Sequence, residues 1–146
     1  MVKSREMKRD IKKVILDVHR LLSLDEREIL IALRKTRKKV TCPYCGSSDI
    51  LKIGFINRKN NLKIQRFKCK RCGKTFTELD ATPLKGVHSL KEYILIAYFA
   101  TVVKLPPSSI SKVLGTNKSK TYRLYNKINK YKQFFKNLIG ILLEGS

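Results

Sequence analysis

Between residues 4 and 22 the apolar side chains Met7, Ile11, Val14, Ile15, Val18, Leu21 and Leu22 recur at helical spacing and form one stripe. Ser23, with Glu26 three residues later, has the form of a capping box and predicts a second helix through "REILIALRK". The two helices make a hairpin with an apolar face to bury, against the C-terminal helices or a second copy of the chain. "RKTRKK", residues 34 to 39, follows as a basic linker, readable as a solvated tether or as a phosphate-contacting arm. The period then drops to two. "ILKIGFI" and "LKIQRFKC" alternate around the turn residues "NRKNN", and "KTFTEL" supplies a third strand. On the second strand Leu62, Ile64 and Arg66 share one face, with the apolar pair inside, while Lys63, Gln65 and Phe67 share the other.

From residue 89 the helical period returns. Ser89 and Glu92 form another capping box ahead of the apolar run "YILIAYFATVV". "KLPPSS" breaks that helix, because two prolines cannot continue it. A short helix, "SSISKVLG", ends at Gly115. A basic helix follows, capped by Asn117 or Ser119, with Thr121, Leu124, Tyr125 and Ile128 facing inward. Short helix, glycine turn and longer basic helix describe a helix-turn-helix unit. Its outward residues are Lys118, Ser119, Lys120, Tyr122, Arg123, Asn126 and Lys127. Arg123 suits guanine and Asn126 adenine, with Lys118 and Lys120 on phosphates. Beyond it "YKQFFKNLIGILL" either extends this helix or starts another that packs in the core or pairs two chains.

The strands lie between two Cys-x-x-Cys pairs, Cys42 with Cys45 and Cys69 with Cys72, 23 residues apart. Each second cysteine is followed by glycine, Gly46 and Gly73, which permits the positive φ that such knuckles need. Two disulfides, or iron in a rubredoxin-like site, share the spacing. Reducing surroundings disfavour the first, and a redox protein has no use for so basic a surface. Four thiolates at this spacing therefore predict a structural, tetrahedral Zn2+ with no open position for catalysis. The chain is then α+β: an N-terminal helical hairpin and basic linker (1–40), a three-stranded zinc ribbon (41–82) and a helix-turn-helix domain with a C-terminal helix (83–146).

Charge adds a partner. The chain carries 33 Lys and Arg against 11 Asp and Glu, a net charge of +22 in 146 residues. A balance so one-sided calls for a polyanion rather than for ion-pair networks. Arg58, Lys59 and Lys63 stand out on the ribbon as phosphate contacts, among further lysines and arginines. The start of the chain lacks the apolar core of a signal peptide, and its longest apolar run, Tyr93 to Val103, is too short to span a membrane. A cytoplasmic, nucleoid-associated protein with no membrane partner is expected. The acids are scattered, Glu78 and Asp80 coming nearest to a pair, so no catalytic residues are expected.

The run "CPYCGSSDILKIGFINRKNNLKIQRFKCKRCGKTFTELDATPL", with "SLKEYILIAYFA" and "SSISKVLGTNKSKTYRLYNKI", resembles the zinc-ribbon and helix-turn-helix segment of insertion-sequence transposases. The likeness covers roughly residues 41 to 130 and is nearest to their small accessory and repressor proteins. It implies zinc on Cys42, Cys45, Cys69 and Cys72 and sequence-specific binding of inverted-repeat duplex DNA. Transposition or transcription regulation is the implied role, with a homodimer or a transposase as further partners. Pro106-Pro107 and the first forty residues depart from that pattern. The alternative is an RNA-binding zinc-ribbon protein or a module of the transcription machinery.

Overall fold

The computed structural model describes residues 2–37 and 39–144, with side chains described outside 2–9 and Asn60. Among the described residues six helices and one antiparallel sheet follow in the order α1 (Val2–Ser23), α2 (Glu26–Thr36), β1 (Ile50–Arg58), β2 (Leu62–Cys69), β3 (Thr75–Thr77), α3 (Leu90–Tyr98), α4 (Pro107–Leu114), α5 (Lys118–Lys130) and α6 (Lys132–Glu144). The α+β class expected from the alternating periods is what the chain adopts.

α3 is the axis of the helical part. Leu90 and every residue from Tyr93 to Tyr98 are buried, as suits a helix that is apolar all round. Tyr93 meets Phe135 of α6 edge-on at 5.1 Å, and the Tyr98 hydroxyl donates to Asp17 Oδ2 of α1 at 2.7 Å. Burial and this bond raise the Tyr98 pKa. Ser89 caps α3 as predicted, accepting from the Glu92 N–H. The helix then widens into a π-turn, Phe99–Val103, and stops at Lys104 in the left-handed conformation. Pro106-Pro107 does not merely break the chain. Pro107 opens α4, where its fixed φ and missing N–H cost nothing.

Two other expectations change. α2 is capped by Asp25, whose carboxylate accepts from the Arg27 N–H, while Ser23 ends α1 and donates to the Arg20 carbonyl. Asp25 begins the helix two residues later than the Ser23 box places it. On α1, Leu21 is buried and Val14 and Val18 half-packed, yet Ile11, Ile15 and Leu22 are exposed. Met7, at the start of the predicted stripe, lies outside the described side chains, and of the rest α3 and α6 receive only Val14, Val18 and Leu21.

The sheet runs β1-β2-β3. Leu62 and Ile64, inward as predicted, join the main core, which also draws on α2, α3, α5 and α6. Further along the same strand the opposite face is covered instead. Phe67 packs with Phe76, Cys42 and Cys69 in a separate small cluster. Gln65, predicted outward, is buried because its amide donates to the Gly54 carbonyl, where the β1–β2 register slips between Lys52 and Phe55. β2 therefore bridges two cores, one helical and one built around the cysteines.

Candidate metal centre and cationic surface

Each cysteine pair sits on a tight turn of the same construction. The Cys42 N–H donates to Ser47 O and the Gly46 N–H to Cys42 O, and Cys69, Lys74 and Gly73 repeat the pattern. Gly46 at φ 78° and Gly73 at φ 76° supply the left-handed residue that closes each turn. The Lys70 N–H, donating to Asp49 O at 3.0 Å, ties the two knuckles together. All four Sγ atoms lie within 4.8 Å of one another. Cys42 and Cys72 are 3.7 Å apart, Cys45 and Cys69 3.6 Å. Four sulfurs about 2.3 Å from a central ion stand about 3.8 Å apart in a tetrahedron. The donor set fits Zn2+, and zinc is the cofactor of this site.

The protein prepares the thiolates unequally. The Cys72 N–H aimed at Cys69 Sγ lowers that thiol to about 6. Cys42 is also lowered: burial opposes ionisation, but N–H groups of Cys45 and Tyr44 outweigh it. Cys45 goes the other way, to about 11. The Ser47 N–H favours its thiolate, but burial and the neighbouring sulfurs prevail. Without a cation the cluster cannot hold four negative charges; a divalent ion resolves that repulsion. Protons therefore compete with the metal. The contribution of Cys69 is complete above its ordinary 9.0 and disappears as the pH falls through about 6. Zinc retention, read with a colorimetric chelator across a pH series, is expected to be full at alkaline pH and to decline on acidification. A chain that keeps its metal equally well in acid counts against this ligand set.

The ribbon is joined to the helices by charge. Glu78, just past β3, is fully buried and accepts two bonds from Arg34 of α2, at 2.8 and 2.9 Å. It also accepts from the Gln65 N–H at 2.6 Å and faces Arg37 at 3.5 Å. Arg37 in turn lies over the Phe67 ring at 5.7 Å. Asp80 accepts from the Thr77 N–H. Both members of the supposed acid pair are thus held in structural bonds. The linker "RKTRKK" conceals this role of Arg34 and Arg37, since composition cannot tell a tether from a clamp.

The predicted contact residues divide into two groups. Lys118, Ser119, Tyr122, Arg123 and Asn126 are exposed on α5, as are Lys59 and Lys63 on the ribbon. The others have internal partners. Lys120 pairs with Glu92 at 3.1 Å, Lys127 Nζ donates to Lys85 O at 3.1 Å, and Arg58 donates to Val87 O at 3.0 Å. Sequence reasoning passed over Tyr44, inside the first knuckle. It is half-exposed, with Lys74 Nζ 4.8 Å and Lys85 Nζ 5.7 Å from its ring centre. Lys52, Lys68, Lys70, Arg71 and Lys74 are also exposed on the ribbon. Among the described residues no helix is long and apolar enough to cross a membrane.

Comparison with known proteins gives a match to the large ribosomal subunit protein eL43 of Nanoarchaeum equitans (strain Kin4-M), 31% identical over 62 residues. The match takes in 42% of this chain and 62% of that protein, so the chain spans less than two thirds of its relative's length. No family model matches, and no solved structure does. The relative is a ribosomal protein, not a transposase or a DNA regulator. That overturns the expectation of a transposase-associated regulator on inverted-repeat DNA, and with it duplex DNA and a transposase as partners.

Proposed function

We propose that this chain is an RNA-binding zinc-ribbon protein whose partner is ribosomal RNA. The observation that carries the proposal is the set of exposed cations on the zinc ribbon, with an accessible aromatic ring beside Lys74 and Lys85. Lys52, Lys68, Lys70, Arg71 and Lys74 supply phosphate contacts without sequence demands, and Tyr44 offers a stacking face to an unpaired base. Phe55, more than half exposed on β1, offers a second. The likeness to a large ribosomal subunit protein supports the same partner. Zinc acts here by holding the two knuckles, and so the cations they carry, in fixed positions.

α4 and α5 follow one another across Gly115, but two of the seven predicted contacts on α5 are engaged within the chain. In this proposal its exposed residues add to the phosphate-facing surface and read no groove. The deep, narrow major groove of A-form RNA does not admit such a helix.

Fluorescence anisotropy on fragments of large-subunit ribosomal RNA, against random and inverted-repeat duplex DNA at matched salt, tests the proposal. RNA is expected to bind at least about tenfold more tightly. Lys68→Gln/Lys70→Gln/Lys74→Gln is expected to weaken RNA uniformly and to flatten the salt dependence by about 0.7–0.9 per lost contact. Equal or tighter binding of the DNA duplexes defeats the proposal.

A further inference from the structure

Between the 85–88 loop, the start of α3 and the outer side of α5 lies a cavity of about 350 Å³. Lys85, Lys120, Arg123 and Lys127 line it, against the single carboxylate of Glu92. Lys120 answers that carboxylate at 3.1 Å. This leaves Lys85, Arg123 and Lys127 facing one another with no counter-charge among the lining residues. Lys127 is fixed there by its bond to the Lys85 carbonyl. Its pKa is lowered, by burial first and then by the charges of Lys85 and Arg123. The Ser89 hydroxyl already accepts the Glu92 N–H at the start of α3.

We propose that this cavity is a binding site for a phosphate group. A tetrahedral phosphate, singly charged as an RNA phosphodiester and about doubly charged as free phosphate, relieves the crowding of the three cations, accepts from them, and leaves room in a cavity of this size for retained water. The cavity also communicates with the zinc knuckle, because Lys85 reaches over Tyr44. The phosphate is therefore assigned to the backbone of bound RNA, an assignment that rests on the RNA reading above. The alternative source is free phosphate.

The zinc-loaded full chain is titrated with inorganic phosphate while its backbone amides are followed by NMR. Saturable shifts are expected at Gly86, Val87, His88 and Arg123, and Arg123→Gln should abolish them. Unmoved wild-type amides at tens of millimolar phosphate, roughly the weak end of specific anion binding, overturn the site whatever the chain does with RNA. In the second arm ribosomal RNA should displace phosphate from the wild type. Arg123→Gln is expected to lose about five- to tenfold in RNA affinity and about one contact of salt dependence. Lys136→Gln, an equal charge change on the exposed side of α6, should lose neither. Phosphate shifts with identical RNA binding by the two variants overturn the RNA source alone. A wild type that binds phosphate but no RNA refutes the RNA reading and leaves the phosphate site intact.

Discussion

Cys69→Ser is expected to remove stoichiometric zinc and unfold the knuckle half of the ribbon, while the helices and the far end of the hairpin stay folded. The reason lies in β2's division between two cores. Cys42, Phe67, Cys69 and Phe76 form a cluster of four buried residues, and among the described residues the hydrophobics packed against it are half-buried Val40 and Ile50. A cluster of that size cannot offset the entropy of ordering two knuckles and a three-residue strand. Structural zinc sites in small peptides supply about 10–16 kcal/mol of apparent binding energy, and here that binding is what folds the segment. Leu62 and Ile64 do not depend on the metal, since they pack with the helices. Hydrogen exchange should thus show protection lost from about residue 42 to 50 and from 67 to 77, with α3 and α6 unchanged. Metal analysis should show no bound equivalent. One retained zinc with full protection at both knuckles contradicts the assignment. Loss of protection throughout the chain contradicts the division into two cores.

That division also marks how far the sequence can be read. The cysteine spacing announces the metal, because ligand number and turn geometry are local properties. The strands and the cap at Ser89 are local too, and they appear near where alternation and capping chemistry put them, although β1 runs on through Asn57 and Arg58, which read as turn residues. What lies beyond local pattern comes out less well. Gln65 reads as outward by alternation, yet it is buried, since the register slip opposite it leaves the Gly54 carbonyl for its amide to satisfy. Ile11 and Ile15 belong to a helical stripe and still face solvent, because the stripe is longer than the surface that receives it. The surface residues are the hardest of all. Lys120, Lys127 and Arg58 look like contacts by charge and position, and only the fold reveals that each already has a partner. Basic composition likewise announces a polyanion without choosing between DNA and RNA, because both present the same phosphates. Resemblance to a DNA-binding family filled that gap with the wrong partner.

Arg34→Met is expected to lower stability by about 3 kcal/mol with zinc in excess, the lower end of what breaking a buried ion pair costs. The asymmetry of the pair sets the size. Glu78 is wholly buried, whereas the Arg34 side chain is 38% exposed, so the substitution strands the partner that has no access to water. Arg37 at 3.5 Å and the Gln65 N–H at 2.6 Å still hold the carboxylate, which keeps the loss from reaching the upper end. The bond to Glu78 also raises the Arg34 pKa, so the guanidinium stays charged at any pH where the fold survives. Glu78→Gln retains the shape and can still accept from Gln65, but leaves Arg34 facing a neutral amide. If the pair acts as a unit, Arg34→Met/Glu78→Gln will cost less than the two single changes added together, because neither member is then left as an unmatched charge. Urea denaturation of the four proteins measures that coupling. Simple additivity would mean that the two side chains are neighbours without being a clamp, and that α2 is held to the ribbon by Leu62 and Ile64 alone. A clear coupling would make the ion pair the joint through which the zinc-bearing end of β2 is held to the helical core.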